Sequence, residues 1–326
     1  MAGGNMGWRG TLRSLEAAAR ASARESERRQ KIALKAQVVA SAAEAVAAWE
    51  EHVDNLTHVR GKSVDVIDWQ TIAGEPPPSE PRLLSRHEDE ASKALSGFRP
   101  GFFDFLSGGS EKKRRRLQEV LDRAPGLDTA DFAVARNAYT KAHQEWLADT
   151  AVAAGVLRHD PGALKKVIEE AKPFSDASFI GSSIAFYFGE DFVHAVPAIH
   201  GPDIVPSVRL KQTSTGKLSE TKMPVSQTNE LYQDYVAGVP LRIAKIALSI
   251  LPVKELYVTC RTMMLNTKTG HQELTPILSV PIVRDTLMRL DLAHVDASDA
   301  LLNFNHSIQF KKTTGFQRVE PLKPIG

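Results

Sequence analysis

The sequence predicts an α+β fold: an all-helical N-terminal half led by a long helical arm, then a mixed, mostly antiparallel β-sheet domain of β-β-α-β-β-α order. Three observations lead there. Trp8 to Arg60 contains no proline and is rich in alanine, the strongest helix former. Segments at roughly 83–97, 110–124, 128–157 and 160–172 repeat apolar residues at helical spacing. From about Phe179 the period drops toward two and glycine-bearing turns appear, as in a sheet. The expected organisation is an arm over 1–60, a Pro-rich linker over 61–82, a helical block over 83–175 and the α+β domain over 176–326.

Within the arm, Val39, Ala42, Val46, Trp49, Val53 and Leu56 alternate spacings of three and four, the seam of a coiled coil or of a packed helix. Two readings stay open. The seam packs on the rest of its own chain, or Val39, Val46, Trp49, Val53 and Leu56 bind a second copy or another protein. Upstream, Arg24 to Lys31 is polar on every face and predicts a projecting extension. Asp68 is placed to cap a brief helix anchored by Trp69, and Gly74 to Pro81 is too proline-rich for helix or inner strand. Phe132, Ala135, Tyr139, Ala142 and Trp146 form a helical stripe that reads as a core face. Asp160-Pro161 opens the last helix of the block, with proline at its first position.

In the C-terminal domain, Ile184 to Phe188 and Phe192 to Val196 are short strands. Val205 to Gln212 and Lys217 to Val225 flank Ser214-Thr215-Gly216 as a hairpin. A helical run from Asn229 to Leu251 is expected to kink or divide at Pro240. Glu255 to Met263 and Glu273 to Val283 form a second hairpin. Helices follow near Arg284 and after a Ser298 cap, and a last strand pair closes around Gly315.

Composition narrows the function classes. A net charge of +2 gives no global field toward nucleic acid or acidic lipid, so any such role needs a local patch. The one cysteine, Cys260, lies in an apolar strand and excludes an internal disulfide framework or a CxxC site. It fits a reducing compartment. No apolar run approaches a membrane span and the N-terminus carries no secretory pattern, so a cytoplasmic protein without membrane contact is expected.

Glu230-Leu231-Tyr232-Gln233-Asp234-Tyr235-Val236, Leu241-Arg242-Ile243-Ala244, Leu251-Pro252-Val253, Thr269-Gly270-His271, Leu278-Ser279-Val280, and the tail from Asn303-Phe304-Asn305-His306 to Thr314-Gly315-Phe316 resemble a family of uncharacterised bacterial proteins. The resemblance extends to the arm and to His58–Trp69. It implies a bacterial cytoplasmic origin and carries no established activity, cofactor or catalytic residue.

Asp203, after Pro202, with Glu220 and Lys222 spells the PD-(D/E)xK nuclease pattern. There two acids hold Mg²⁺ or Mn²⁺ and the lysine steadies the attacking water or the charged transition state. With a turn near Thr215, however, Glu220 falls opposite Leu210, leaving Asp203 well down the other strand. The run Lys112-Lys113-Arg114-Arg115-Arg116, near Phe102, Phe103 and Phe105, either contacts phosphates or is a solvated helix start. Ser214 to Lys217 lacks the strand-to-helix context of a phosphate loop. His194 and His200 have no third ligand nearby. Tyr232, Asp234 and Arg242 either line a pocket or pack, and His306 with Lys311 and Lys312 is equally ambiguous. The expected function is therefore a bacterial intracellular interaction protein: the arm self-associates or docks, and the α+β domain binds a partner or ligand without a cofactor. The alternatives are a metal-dependent nuclease and nucleic-acid binding through 112–116.

Overall fold

The computed structural model describes residues 28, 42–58, 65–99, 109–175, 179–189, 192–214 and 217–323. Val39, the polar stretch 24–31 apart from Arg28, Phe102, Phe103, Phe105 and the hairpin tip Thr215-Gly216 lie outside these residues. The chain splits into two compact units, one made of residues 1–72 with 152–326 and one of residues 73–151.

Helices in chain order are α1 (Ala42–Thr57), α2 (Trp69–Ala73), α3 (Arg86–Ser96), α4 (Gly109–Leu157), α5 (Pro161–Ala171), α6 (Val225–Ile250), α7 (Arg284–Met288) and α8 (Ala297–Leu301). Strands are β1 (Gly181–Phe188), β2 (Val193–Ile199), β3 (Val208–Gln212), β4 (Leu218–Lys222), β5 (Glu255–Leu265), β6 (Gln272–Val283), β7 (Ser307–Ile308), β8 (Phe310–Lys311) and β9 (Gly315–Phe316). The fold is thus α+β, with a mixed, mostly antiparallel sheet in the C-terminal half.

In the larger unit, five strands run in the order β1-β2-β5-β6-β7, with β2–β5 the parallel pair. The β5–β6 hairpin is the longest pairing, from Glu255↔Val283 to Leu265↔Gln272. Its turn closes with the Gly270 amide on the Asn266 carbonyl at 2.7 Å, and Gly270 takes φ +71°, a conformation that favours glycine. Alternation along the strands puts Val193, Ala195, Leu256, Val258, Cys260, Leu278, Val280 and Ile282 on one face, all fully buried. α6 packs against β5 and β6, and its segment from Tyr235 to Ala244 is buried all round. Each such aliphatic burial stabilises by about 1.5–3 kcal/mol. Burial also pushes the Cys260 thiol pKa up, which suits an inert core residue.

Three details differ from the sequence reading. α6 is not divided at Pro240, which costs one ladder bond while the turns on either side are packed. β3 and β4 form their own two-stranded sheet. Asp296, not Ser298, caps α8, accepting from the Ser298 and Asp299 amides.

α1 docks on the sheet domain of its own chain, against α6, β3 and β4. Ala45 and Leu56 are buried, and Val46, Trp49 and Val53 are half-buried. The Trp49 indole donates to the Val208 carbonyl at 2.8 Å, and the His52 Nε2 bonds the Ile204 carbonyl at 2.9 Å. Arg242 Nη2 donates to the carbonyls of Asn55 and His58, each at 2.5 Å. The described part of the seam offered to a partner is therefore taken up internally: α1 belongs to the same compact unit as the sheet rather than forming a separate arm. A 3.5-residue apolar period states that a helix wants a partner, not which chain supplies it. Downstream, Asp68 accepts from the Gln70 and Thr71 amides to start α2, and the buried Trp69 donates to the Ile250 carbonyl at 2.8 Å.

The unit 73–151 is built differently. α4 is one helix of 49 residues rather than two, continuing through Pro125. The Asp128 carboxylate caps α3 from α4, accepting from the His87 amide at 2.9 Å and the Glu88 amide at 3.1 Å. Asp131 meets Arg86 at 3.2 Å and His87 at 3.0 Å, and Trp146 donates to the Glu75 carbonyl. Phe132, Tyr139 and Trp146 are half-buried. Among the described residues of this unit, the buried apolar side chains are Ala91 and Ala124.

Arg242 is the donor for two orphan carbonyls at the end of α1, and a bond from a charged donor contributes about 1.5–3 kcal/mol. Arg242→Met keeps the stem's packing and removes both bonds. The expected outcome is amide hydrogen exchange in α1 that is faster by about tenfold or more, with β5–β6 protection retained. Unchanged protection in α1 would mean that apolar contact alone holds the helix.

Candidate interaction surface

The three residues of the nuclease spelling sit on different kinds of structure. Asp203 lies in a 3-10 turn, Pro202–Ile204, before the paired strands begin. Glu220 is on β4 opposite Leu210, and Lys222 is opposite Val208. All three side chains are exposed, whereas a two-acid metal site holds its carboxylates on one ion. Among the described residues, no group of three or more His, Cys, Asp or Glu side chains is placed to hold a metal ion.

The polar groups around α6 are engaged in packing. The Tyr232 hydroxyl donates to the His200 carbonyl at 2.8 Å, and the Tyr235 hydroxyl to the Ile180 carbonyl at 2.7 Å. Burial is the main cause that pushes both phenol pKa values up. Arg242 is buried, with its guanidinium carbon 4.4 Å from the Phe179 ring centroid. Burial lowers its pKa to about 10, so it remains a cation at neutral pH. His194 Nε2 lies 2.8 Å from Thr259 Oγ1, which lies 2.9 Å from Ser279 Oγ, which in turn accepts from the Leu322 amide at 3.0 Å. This chain crosses three strands and ties down the C-terminal tail. Burial lowers the His194 pKa, as expected where the neutral ring is the bonded form. Lys312 pairs with Glu230 at 2.5 Å, and His306 Nδ1 bonds the Phe304 carbonyl.

Among the described residues, α4 carries both an exposed basic run and exposed apolar side chains. Lys112, Lys113, Arg114, Arg115 and Arg116 are all exposed in its first turns, with Lys113 Nζ 5.7 Å from the Phe98 ring centroid. Further along, Val120, Leu127 and Val134 are 54%, 51% and 70% exposed. Their spacing of seven keeps them on one face, drifting only about 20° per step. Ala130 and Ala138, also exposed, continue that face with small side chains. Between Val120 and Leu127, Pro125 lacks the amide that would bond the Leu121 carbonyl, and Gly126 has open space where a side chain would stand. This stripe was readable as a heptad. Treating Pro125 as a helix boundary separates Val120 from Leu127 and hides it.

Among the described residues no helix is long and apolar enough to cross a membrane.

One carboxylate has a measurable electrostatic signature. Burial raises Asp234 to about 6 from 3.8; the Ser298 hydrogen bond opposes this, while Asp296, Glu230 and Asp299 add to it. A carboxyl raised on folding binds its proton better in the folded state. Its stabilising contribution is complete below pH 4 and is lost as pH rises through about 6. Asp234→Asn abolishes that dependence, so its stability relative to the native chain rises between pH 4.5 and 8 in urea denaturation. A constant difference across that range would show that Asp234 titrates normally. Comparison of the chain with protein-family profiles, with curated proteins and with solved structures finds no match.

Proposed function

We propose that the protein is an interaction protein that self-associates through the helical unit 73–151, the sheet domain with α1 docked on it being a self-sufficient body. The observation that carries this is the imbalance between buried and exposed apolar residues in the helical unit. Its described residues bury two alanines, while Val120, Leu127 and Val134 face solvent at heptad spacing. Among the described residues of the unit, that burial is small beside the entropy of ordering a long helix. A partner on the exposed stripe supplies the missing burial. The arm expected to self-associate contributes α1 to the sheet domain, and the exposed stripe on α4 supports an association surface there.

The five cations at 112–116 support a second reading, a phosphate-backbone contact, because all five side chains are exposed on consecutive positions. Replacing them with glutamine is expected to weaken RNA or DNA binding and flatten its salt dependence. An unchanged binding curve would remove this reading.

For the main reading, light scattering of the full chain is expected to give a dimer or larger assembly whose mass falls to one chain in Leu127→Glu. Circular dichroism and the β5–β6 amide protection report whether the sheet domain is still folded in that variant. A wild-type chain that runs as a monomer at about 100 μM, above the micromolar dissociation constants of weak specific complexes, would overturn the proposal.

A further inference from the structure

We infer that the segment 320–323 is held on the sheet by a proton-sensitive latch, closed while the His194 ring is neutral and released when that ring takes up a second proton. The direction of every bond in the His194–Thr259–Ser279–Leu322 relay follows from its fixed end. An amide nitrogen only donates, so Leu322 donates to Ser279 Oγ, at 3.0 Å. Ser279 is wholly buried, and among the described residues its other hydrogen-bond neighbour is Thr259 Oγ1 at 2.9 Å. Its hydroxyl hydrogen therefore goes to Thr259. Thr259, 2% exposed, passes its own hydrogen to His194 Nε2 at 2.8 Å. Nε2 is thus an acceptor, and the neutral ring carries its hydrogen on Nδ1.

A charged ring breaks this order. Imidazolium has a hydrogen on both nitrogens, so Nε2 must donate to Thr259. If Thr259 then turns toward Ser279, the Ser279 hydrogen is stranded, because the Leu322 amide offers no lone pair. If Ser279 stays as donor, the Thr259 hydrogen is stranded instead. A buried donor without an acceptor is costly, and the relay yields at its least anchored member. His194, Thr259 and Ser279 belong to paired strands, whereas 320–323 does not. Among the described residues, the Ser279 contact is the one hydrogen bond of 320–323, and the next anchor is the Val319 amide on the Pro276 carbonyl. Pro321 and Leu322 are half-buried and Lys323 is exposed. Lifting the segment lets water accept the stranded hydrogen. Around His194, the Tyr187 ring of β1 and the Tyr257 ring of β5 lie 6.3 Å away. Alternation puts Glu255 before Tyr257 on the same face of β5, and pairing puts Arg261 beside Ala198. Burial lowers the His194 pKa from the ordinary 6.5. The latch is therefore complete above pH 6.5 and is lost as pH falls through the folded value.

Nitrogen-15 NMR of the full chain reads both the tautomer and the latch. At about pH 8, His194 Nδ1 is expected at the shift of a protonated ring nitrogen and Nε2 at that of a bare one. The opposite tautomer would overturn the inference. As pH falls through the His194 titration, the protection factor of the Leu322 amide is expected to drop by about tenfold or more, while β5–β6 amides keep theirs. A Leu322 amide that stays protected while His194 charges would mean that the ring swings out alone, and the latch would not exist. His194→Gln offers an uncharged oxygen near the Nε2 position and is expected to keep Leu322 protected across the whole pH range. The native pH course persisting in that variant would place the sensor elsewhere and end the proposal. Ser279→Ala is expected to leave Leu322 unprotected at every pH, with β5–β6 protection reporting that the sheet is intact.

Discussion

The Arg242 guanidinium reaches from the packed middle of α6 to the carbonyls of Asn55 and His58, and the placement of α1 depends on that reach. The last carbonyls of a helix have no partner within it, and buried ones must find a donor elsewhere. Arg242 supplies two such bonds from one nitrogen. The cost is visible in the same residue. Its pKa is drawn down to about 10 by burial, and Nη1 has no hydrogen-bond partner among the described residues. The Phe179 ring face, 4.4 Å away, offsets part of the lost hydration. A buried cation without a carboxylate is a weak source of net stability. What it provides is placement, because one nitrogen bonds two carbonyls at the end of α1. Trp49 and His52 repeat the device, each bonding a backbone carbonyl of the sheet domain near β3. Since a carbonyl only accepts, the His52 contact requires Nε2 to carry its proton.

The two units solve the burial problem in different ways. In the larger one, the helix α6 tolerates Pro240 because the residues around it are buried on every side. In the smaller one, α4 carries Pro125 on an exposed stretch and with little core nearby. The Asp128 cap and the Asp131 pairs join α3 to α4, and the Trp146 indole holds the Glu75 carbonyl ahead of α3. Such contacts fix geometry, but exposed ion pairs contribute about 0–1 kcal/mol each. Polar contacts set the direction in which α3 runs. They add little to the small apolar burial among the described residues of this unit.

How far the sequence could be read follows from which interactions are local. The strands, the hairpin register that sets Glu220 opposite Leu210, the Asp68 cap and the buried Cys260 all follow from neighbouring residues or from period-two alternation. The docking of α1 does not. Val46, Trp49, Val53 and Leu56 announce a helix face that needs cover, and the cover is specified by Arg242, 187 positions from its acceptor at Asn55. The separation of β3–β4 from the main sheet is equally non-local, because strand pairing beyond a hairpin is decided by tertiary packing. Asp203 falls outside the hairpin because the strands begin only at Val208, although the run from Val205 reads as strand throughout.

The misreading at Pro125 differs in kind from these. A proline followed by glycine is good local evidence for a helix end, and here local preference and actual structure conflict. Conflicts of this sort mark places where something other than local preference decides the outcome, and functional sites are where natural proteins tolerate them. For Pro240 that something is on hand: the closed core around α6. For Pro125, the described residues of its own unit that are buried are Ala91, Ala124 and Asp128. On the same helix, Val120, Leu127 and Val134 face outward. A helix that stays continuous through Pro125-Gly126, with Val120, Leu127 and Val134 turned to solvent, shows local preference overruled on an exposed stretch, where Pro240 shows it overruled inside a closed core.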